Sequence, residues 1–531
     1  MKRSAGVLLS VTSLSSKYGI GCFSKAAYDF VDFLAEAGQT YWQILPLGPT
    51  AYGPSGDSPY QAYSAFAGNP YLISLEALIE EGVLTQEECD AVDFGDRADD
   101  VDYDKLHAGR YQLLRRAYER SDISRNQDYQ WFVGEHGWWL HDYALFMAVK
   151  NYFGDISWTE WPEDIRRRWG FALDYYRRML YFDIEFQMYM QFKFFTQWHK
   201  LKNYANEKRI QIVGDMPIYV SMNSADVWAH PELFQMDENN VPSAVAGCPP
   251  DSFSATGQIW GNPLYRWDYH AETGFAWWIS RLYSSFKLYD VVRIDHFRGF
   301  DEYFSIPTGS DSALDGHWEK GPGIYLFWKM WESIGMMPVI AEDLGYMTDS
   351  VRRLVEDSGF PNMKVLQFGF DLNDTGAVND YLPHNYHENC VAYTGTHDNE
   401  TIAGWFAGLS AAEKELVRDY LCNHDTEDEK MWKALTCAAL MSRAKTCIIP
   451  IQDYIGMDNE CRMNKPSTVG MNWRWRLQEE YLTDALCGEM RALTTRYGRM
   501  NWAAADVIEA EKKAAADAAA MQEAADEGEK A

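Results

Sequence analysis

The sequence predicts an α/β fold, a (β/α)8 TIM barrel with helical subdomain insertions. Three observations predict it. Short β-branched or aliphatic runs recur along the chain, longer helix-like segments separate them, and five acids stand at or just beyond the ends of five runs: Asp215, Asp295, Glu342, Asp398 and Asp453. Continuous apolar runs suit strands buried on both faces of a parallel sheet. In (β/α)8 barrels the active site gathers at the C-terminal ends of the strands, so acids far apart in sequence converge there. Any one such acid can instead cap the next helix, but five in succession favour convergence.

The first clear strand run is 41–47 (YWQILPL), after a helix-like segment at 26–37. Residues 210–213, 291–294, 339–341, 365–368, 391–393 and 447–451 continue the series, with a second helix-like segment at 350–358. Gly6-Val7-Leu8-Leu9 after Met1-Lys2-Arg3 faintly resembles a signal peptide, but it is too short and Ser10, Thr12 and Ser13 interrupt it. The charged, aromatic stretch from about 70 to 206 breaks the rhythm and reads as mainly helical insertions, so residues 1–502 form one catalytic barrel domain. Residues 503–531 hold 13 Ala and eight acids. They favour helix but offer few large apolar groups to dock, and read as a disordered or loosely helical appendage.

Composition narrows the partners. The net charge of −30 repels phosphate backbones and anionic lipid heads, which argues against nucleic acid and membrane. No stretch approaches 18 apolar residues. Nine scattered Cys without a C-x-x-C pair suggest neither a disulfide framework nor a zinc site, and fit a reducing cytoplasm. The 21 Trp and 33 Tyr supply flat rings that stack on sugar C–H faces, or that fill a core. Dinucleotide and phosphate-loop signatures fail, and the calcium-loop start at Asp371 has Leu382 where a Glu is needed. No cofactor or metal is expected.

Three motifs carry chemistry. In Arg293-Ile294-Asp295-His296, Arg293 and Asp295 share a strand face. The cation is expected to lower the pKa of Asp295 and keep it ionised, as a glycosidic nucleophile requires. In Ala341-Glu342-Asp343-Leu344-Gly345, a carboxyl at the end of an apolar strand is easily desolvated and holds its proton, which suits a general acid. In Thr394-Gly395-Thr396-His397-Asp398, a neutral donor beside a carboxylate can grip adjacent sugar hydroxyls. A metal or triad reading of that pair lacks a third ligand or a placed Ser. Two carboxyls flanking a sugar bond, one nucleophile and one acid/base, describe retaining glycosidase chemistry.

Together with further matches, the motifs resemble the 4-α-glucanotransferase (amylomaltase) family, relatives of the α-amylases. The matches include Tyr18-Gly19-Ile20-Gly21, Gln43-Ile44-Leu45-Pro46-Leu47-Gly48-Pro49, Asp57-Ser58-Pro59-Tyr60-Gln61 and Gly214-Asp215-Met216-Pro217. Thr256-Gly257-Gln258-Ile259-Trp260-Gly261-Asn262-Pro263, Arg462-Met463-Asn464 and Asn472-Trp473-Arg474-Trp475-Arg476 continue them. The resemblance runs to about Met500. It implies that Asp295 is the nucleophile, Glu342 the general acid/base and Asp398 the acid that binds and distorts the sugar. It also implies that Arg293, His397 and Asp215 are polar companions and that Tyr60, with Ser58 beside it, stacks on the donor. Trp260 and the loop 247–257, with Asp251, match the lid on the acceptor side. The implied substrates are maltooligosaccharides and other α-1,4-glucans. The alternatives are an α-glucan hydrolase and a non-catalytic glucan-binding protein. Ser13-Leu14-Ser15-Ser16, Pro466-Ser467-Thr468 and the longer run 51–56 depart from the family pattern, which bears on loop shape and preferred glucan length.

Overall fold

The computed structural model describes residues 3–53, 57–250, 256–345, 347–372 and 378–529. In chain order the strands are β1 (Ser4–Leu8), β2 (Tyr41–Gln43), β3 (Gln211–Pro217), β4 (Ala244–Cys248), β5 (Gln258–Pro263) and β6 (Val291–Asp295). They continue as β7 (Glu302–Pro307), β8 (His317–Lys320), β9 (Val339–Ala341), β10 (Asn362–Val365), β11 (Cys390–Tyr393) and β12 (Thr446–Pro450). Eight of them close a barrel in the order β1-β12-β11-β10-β9-β6-β3-β2, every pairing parallel. The fold is therefore the (β/α)8 barrel. Its strands are short and buried: Val7, Trp42, Ile212, Val292, Ile294, Ala341, Val365, Ala392 and Ile448 are all at most 1% exposed.

The structure differs from the reading above in three strands. The Gly6–Leu9 run, set aside as a weak leader, lies mostly in β1, between β12 and β2, with all five strand residues buried. Gly6 is needed there, because a Cβ on it would come within 2.6 Å of the Tyr41 Cβ on the next strand. Of the run 41–47 only Tyr41–Gln43 pairs; Pro46 lies in the loop that follows. At 365–368 the strand instead ends at Val365, and Leu366–Phe370 wind into a 3-10 helix whose buried residues gave the run its apolar look.

Between β2 and β3 the chain forms the long helices Tyr103–Arg120, Gln127–Tyr152 and Tyr181–Glu207, with shorter ones among them. Their shared interior is aromatic: Tyr143, Phe146, Tyr189, Phe194 and Trp198 are at most 1% exposed. A separate antiparallel sheet, β5-β4-β7-β8, stands over the barrel mouth between β3 and β9. Gly247 is required in β4, since a Cβ there would sit 2.2 Å from the Gln258 carbonyl oxygen.

The C-terminal segment is one helix, Trp502–Glu529. Its first turns dock: Ala504 and Ile508 are buried, and Lys208 binds Glu511 at 2.6 Å while Lys512 binds Glu36 at 3.0 Å. The composition hides this because two apolar residues spaced four apart suffice to seat a helix end. No helix among the described residues is long and apolar enough to cross a membrane.

Candidate active site

The strand register assembles the acids. Asp215 pairs with Arg293, Pro217 with Asp295, and Ile294 with Ala341, so Glu342, one residue past β9, arrives beside the end of β6. These side chains lie at the C-terminal mouth, where a cavity of about 850 Å³ is lined by Ser58, Tyr60, Trp260, Arg293, Asp295, Glu342 and Asp398 among others. The size falls in the range of ligand sites, roughly 300–1,000 Å³.

Arg293 is the hub. Its Nη1 donates to both carboxylate oxygens of Asp215 (2.7 and 2.6 Å) and to Oδ1 of Asp295 (3.0 Å). The Tyr60 hydroxyl donates to Asp215 Oδ2 at 2.7 Å and lies 2.7 Å from His397 Nε2. With its single proton committed to Asp215, that hydroxyl oxygen accepts from His397, which fixes a proton on Nε2. The same Nε2 lies 3.3 Å from Asp398 Oδ2, and Asn464 donates to Asp398 Oδ1 at 2.6 Å. The Tyr60 ring stacks on His397 at 5.3 Å and tilts against Trp473 at 5.7 Å. Asp215 is wholly buried and, like His397, does not itself line the cavity. Both are linked to it through Arg293, Tyr60 and Asp398, which line it.

Burial sets the proton affinities. It pushes Asp295 up to about 6, with Asp215 and Asp398 adding to the rise and Arg293 opposing it. This corrects the expectation that Arg293 would hold Asp295 below its ordinary value: the cation is shared with Asp215, and desolvation wins. Burial and then the charge of Asp295 push Glu342 further, to about 8. Between these values Asp295 is ionised while Glu342 keeps its proton. Asp398 is only half-buried at the mouth, and against its partial desolvation His397 and Asn464 hold it well below the carboxylate range. Burial disfavours the His397 cation, but the adjoining Asp398 charge outweighs it and raises the imidazole.

Glu342 is fixed by two backbone amides, His296 N–H to Oε2 at 2.6 Å and Leu344 N–H to Oε1 at 2.8 Å. His296 reaches it because its backbone is left-handed, with φ 52° and ψ 45°, a region a non-glycine residue enters only when its surroundings hold it there. Sequence reading missed this residue, since no periodicity reveals a single left-handed turn. It gave Asn464 no role either, although Arg462-Met463-Asn464 had been singled out; the signal was a polar pair on a loop returning from beyond β12. Trp260, half-buried on β5, stands edge to face with the His296 ring at 4.9 Å. Ser58 accepts the Tyr60 amide at 3.3 Å and so shapes the turn that presents Tyr60.

Asp453 is elsewhere. It accepts from Thr394 Oγ1 at 2.5 Å and from the Ile402 amide at 2.8 Å, at the start of the helix Ile402–Gly408. It lines no part of the cavity, so of the five strand-end acids this one proves to be a structural cap. Asp251 lies outside the described residues, as do 252–255 of the loop it belongs to.

Comparison with known proteins places this geometry. Residues 9–483 match the family model described as 4-alpha-glucanotransferase. A 4-alpha-glucanotransferase of Streptococcus pneumoniae is 47% identical over 503 residues, covering 94% of this chain and 98% of its own. That of Thermus thermophilus is 44% identical, covering 94% and 100%. Among solved structures, the amylomaltase from Streptococcus agalactiae in complex with acarbose superposes with a TM-score of 0.90 at 43% identity, over 94% of this chain and 100% of that one. Amylomaltase from Corynebacterium glutamicum shares the fold, with a TM-score of 0.72 at 20% identity over 94% and 75%. On a match that spans most of the chain and relatives this similar, the chain belongs to the 4-alpha-glucanotransferase family and is an enzyme of that type.

Proposed function

We propose that the protein transfers a segment of an α-1,4-glucan to the 4-hydroxyl of an acceptor glucose or glucan by double displacement, with Asp295 as nucleophile and Glu342 as acid/base. The observation that carries this reading is the pair of carboxyls brought to one mouth by the strand register, Asp295 beside Arg293 and Glu342 on two backbone amides, with burial and the Asp295 charge raising Glu342 the further of the two. In the first step Glu342 gives its proton to the glycosidic oxygen as an Asp295 oxygen bonds to C1, and the shortened glucan leaves. In the second step Glu342 takes the proton of the acceptor O4–H, whose oxygen bonds to C1 and releases Asp295. Two inversions return the α configuration.

Asp398, held ionised by His397 and Asn464, grips sugar hydroxyls beside the cleaved bond. Arg293 keeps Asp215 and Asp295 apart in charge while Tyr60 offers its ring to the donor. Trp260 faces the acceptor. The substrates are maltooligosaccharides of starch or glycogen origin, and the working compartment is the cytoplasm. Buried free thiols at Cys22, Cys89, Cys390 and Cys447 support a reducing setting, and the net charge of −30 supports the absence of nucleic acid or membrane partners.

Incubation with maltotriose tests the reading. Free glucose plus a ladder of longer oligosaccharides is expected; a product set of shorter sugars alone would assign the protein to hydrolysis instead.

A further inference from the structure

In the helical insertion, the helices Gly170–Met179 and Tyr181–Glu207 meet at Leu180, whose φ of −105° and ψ of 25° break the helical path. With the helix Gln127–Tyr152 this corner frames an open surface pocket of about 310 Å³, which shares no lining residue with the catalytic cleft. Leu145, Ile184 and Met188 give it an apolar floor, His141, Arg177 and Glu185 a polar rim, and Tyr181 a wall that is 57% exposed.

The rim groups have hydrogen-bonding capacity to spare. The His141 side chain has no hydrogen bond to any described residue. The ion partner of Arg177 is Asp174 at 3.8 Å, and Glu185 accepts the Tyr118 hydroxyl on Oε2 at 2.6 Å, which leaves Oε1. One cation facing one anion disfavours a phosphate or carboxylate ligand, and three polar groups disfavour a purely apolar one. A pyranose satisfies both halves: its C–H face covers the Tyr181 ring while its hydroxyls accept from Arg177 and donate to Glu185.

We propose that this pocket is a second α-1,4-glucan site, which holds an internal stretch of a long chain while the chain's end reacts at the barrel mouth. The inference rests on the glucan activity proposed above. Holding the polymer raises the local concentration of its ends. A maltotriose gains nothing, since none of its length remains to be held elsewhere.

The test compares Tyr181→Ala, Arg177→Ala and Tyr181→Phe with wild type on maltotriose and on amylose, reading kcat/KM. On maltotriose all three should stay within about twofold of wild type, as exposed substitutions do. On amylose the two alanine variants should fall about threefold to tenfold, the worth of one ring face or charged hydrogen bond, with Tyr181→Phe retained. Unchanged amylose kinetics would overturn the site, and so would an equal fall on both substrates, which would mark a structural role. If wild type makes no ladder from maltotriose the glucanotransferase reading fails; if the ladder forms but amylose kinetics do not move, the second site alone fails.

Discussion

The backbone amide of His296 donates to Oε2 of Glu342 across 2.6 Å, and the residue preceding His296 is Asp295. A single left-handed residue thus ties the strand end that carries one carboxyl to the side chain of the other. Asp295→Asn and Glu342→Gln keep the shape of both groups and remove only the nucleophilic charge or the titrating proton. Each should stay folded and lose activity on the order of a thousandfold or more. A variant that retained a tenth of wild-type turnover of maltotriose would refute the role assigned to that residue.

The unequal proton affinities predict a bell-shaped pH profile of kcat/KM. Activity should rise as Asp295 ionises through about 6 and fall as Glu342 loses its proton through about 8. These are apparent values of an interacting pair. Stability has a matching sign. A carboxyl whose folded pKa is raised contributes stability that is complete below its unfolded value and lost as pH rises through the folded one. Glu342→Gln cannot ionise, so its melting temperature should gain on wild type between pH 5 and pH 9. A constant difference across that range would show that Glu342 is not desolvated.

Tyr60→Phe tests the chain of contacts from Asp215 to Asp398. The variant keeps the ring on His397 but removes the hydroxyl that donates to Asp215 and accepts from His397. Loss of a buried hydrogen bond to a charged group costs about 1.5–3 kcal/mol, so kcat/KM should drop about tenfold to a hundredfold. Kinetics within twofold of wild type would show that His397 and Asn464 position Asp398 without help from the Tyr60 hydroxyl.

Transfer and hydrolysis share one covalent intermediate and part at the acceptor. Water is the competing nucleophile, so transfer needs a bound acceptor and a covered pocket. Trp260→Ala removes the ring beside His296 and should shift maltotriose products from the longer ladder towards glucose and maltose. An unchanged ladder would take Trp260 out of the acceptor site.

Docking of the C-terminal helix divides it into two parts. Deleting residues 514–531 should leave melting temperature and activity unchanged, because residues 514–519 are exposed. Deleting 503–531 exposes the site covered by Ile508, whose burial is worth about 1.5–3 kcal/mol, and frees Lys208 from Glu511. The longer deletion should lower the melting temperature. Equal behaviour of the two truncations would contradict the docked turns.

By itself the sequence determined the barrel and its chemistry, because both are written in local residue patterns. Strands buried on two faces must be apolar throughout, and acids at their ends tend to gather at one mouth, so the nearness of Asp295, Glu342 and Asp398 could be expected without coordinates, while their separate roles were implied only by the family resemblance. Tertiary structure decided what depends on partners distant in the chain. Only closure of the barrel shows that Ser4–Leu8 is a strand, since a short apolar run near a terminus has no periodicity of its own. Only packing separates Asp453, which caps a helix, from the acids at the mouth. The proton affinity of Asp295 likewise had to wait for the fold: the neighbouring Arg293 was visible in sequence, but its sharing with Asp215 arises only when β3 pairs with β6, and the desolvation that outweighs it only when the barrel closes.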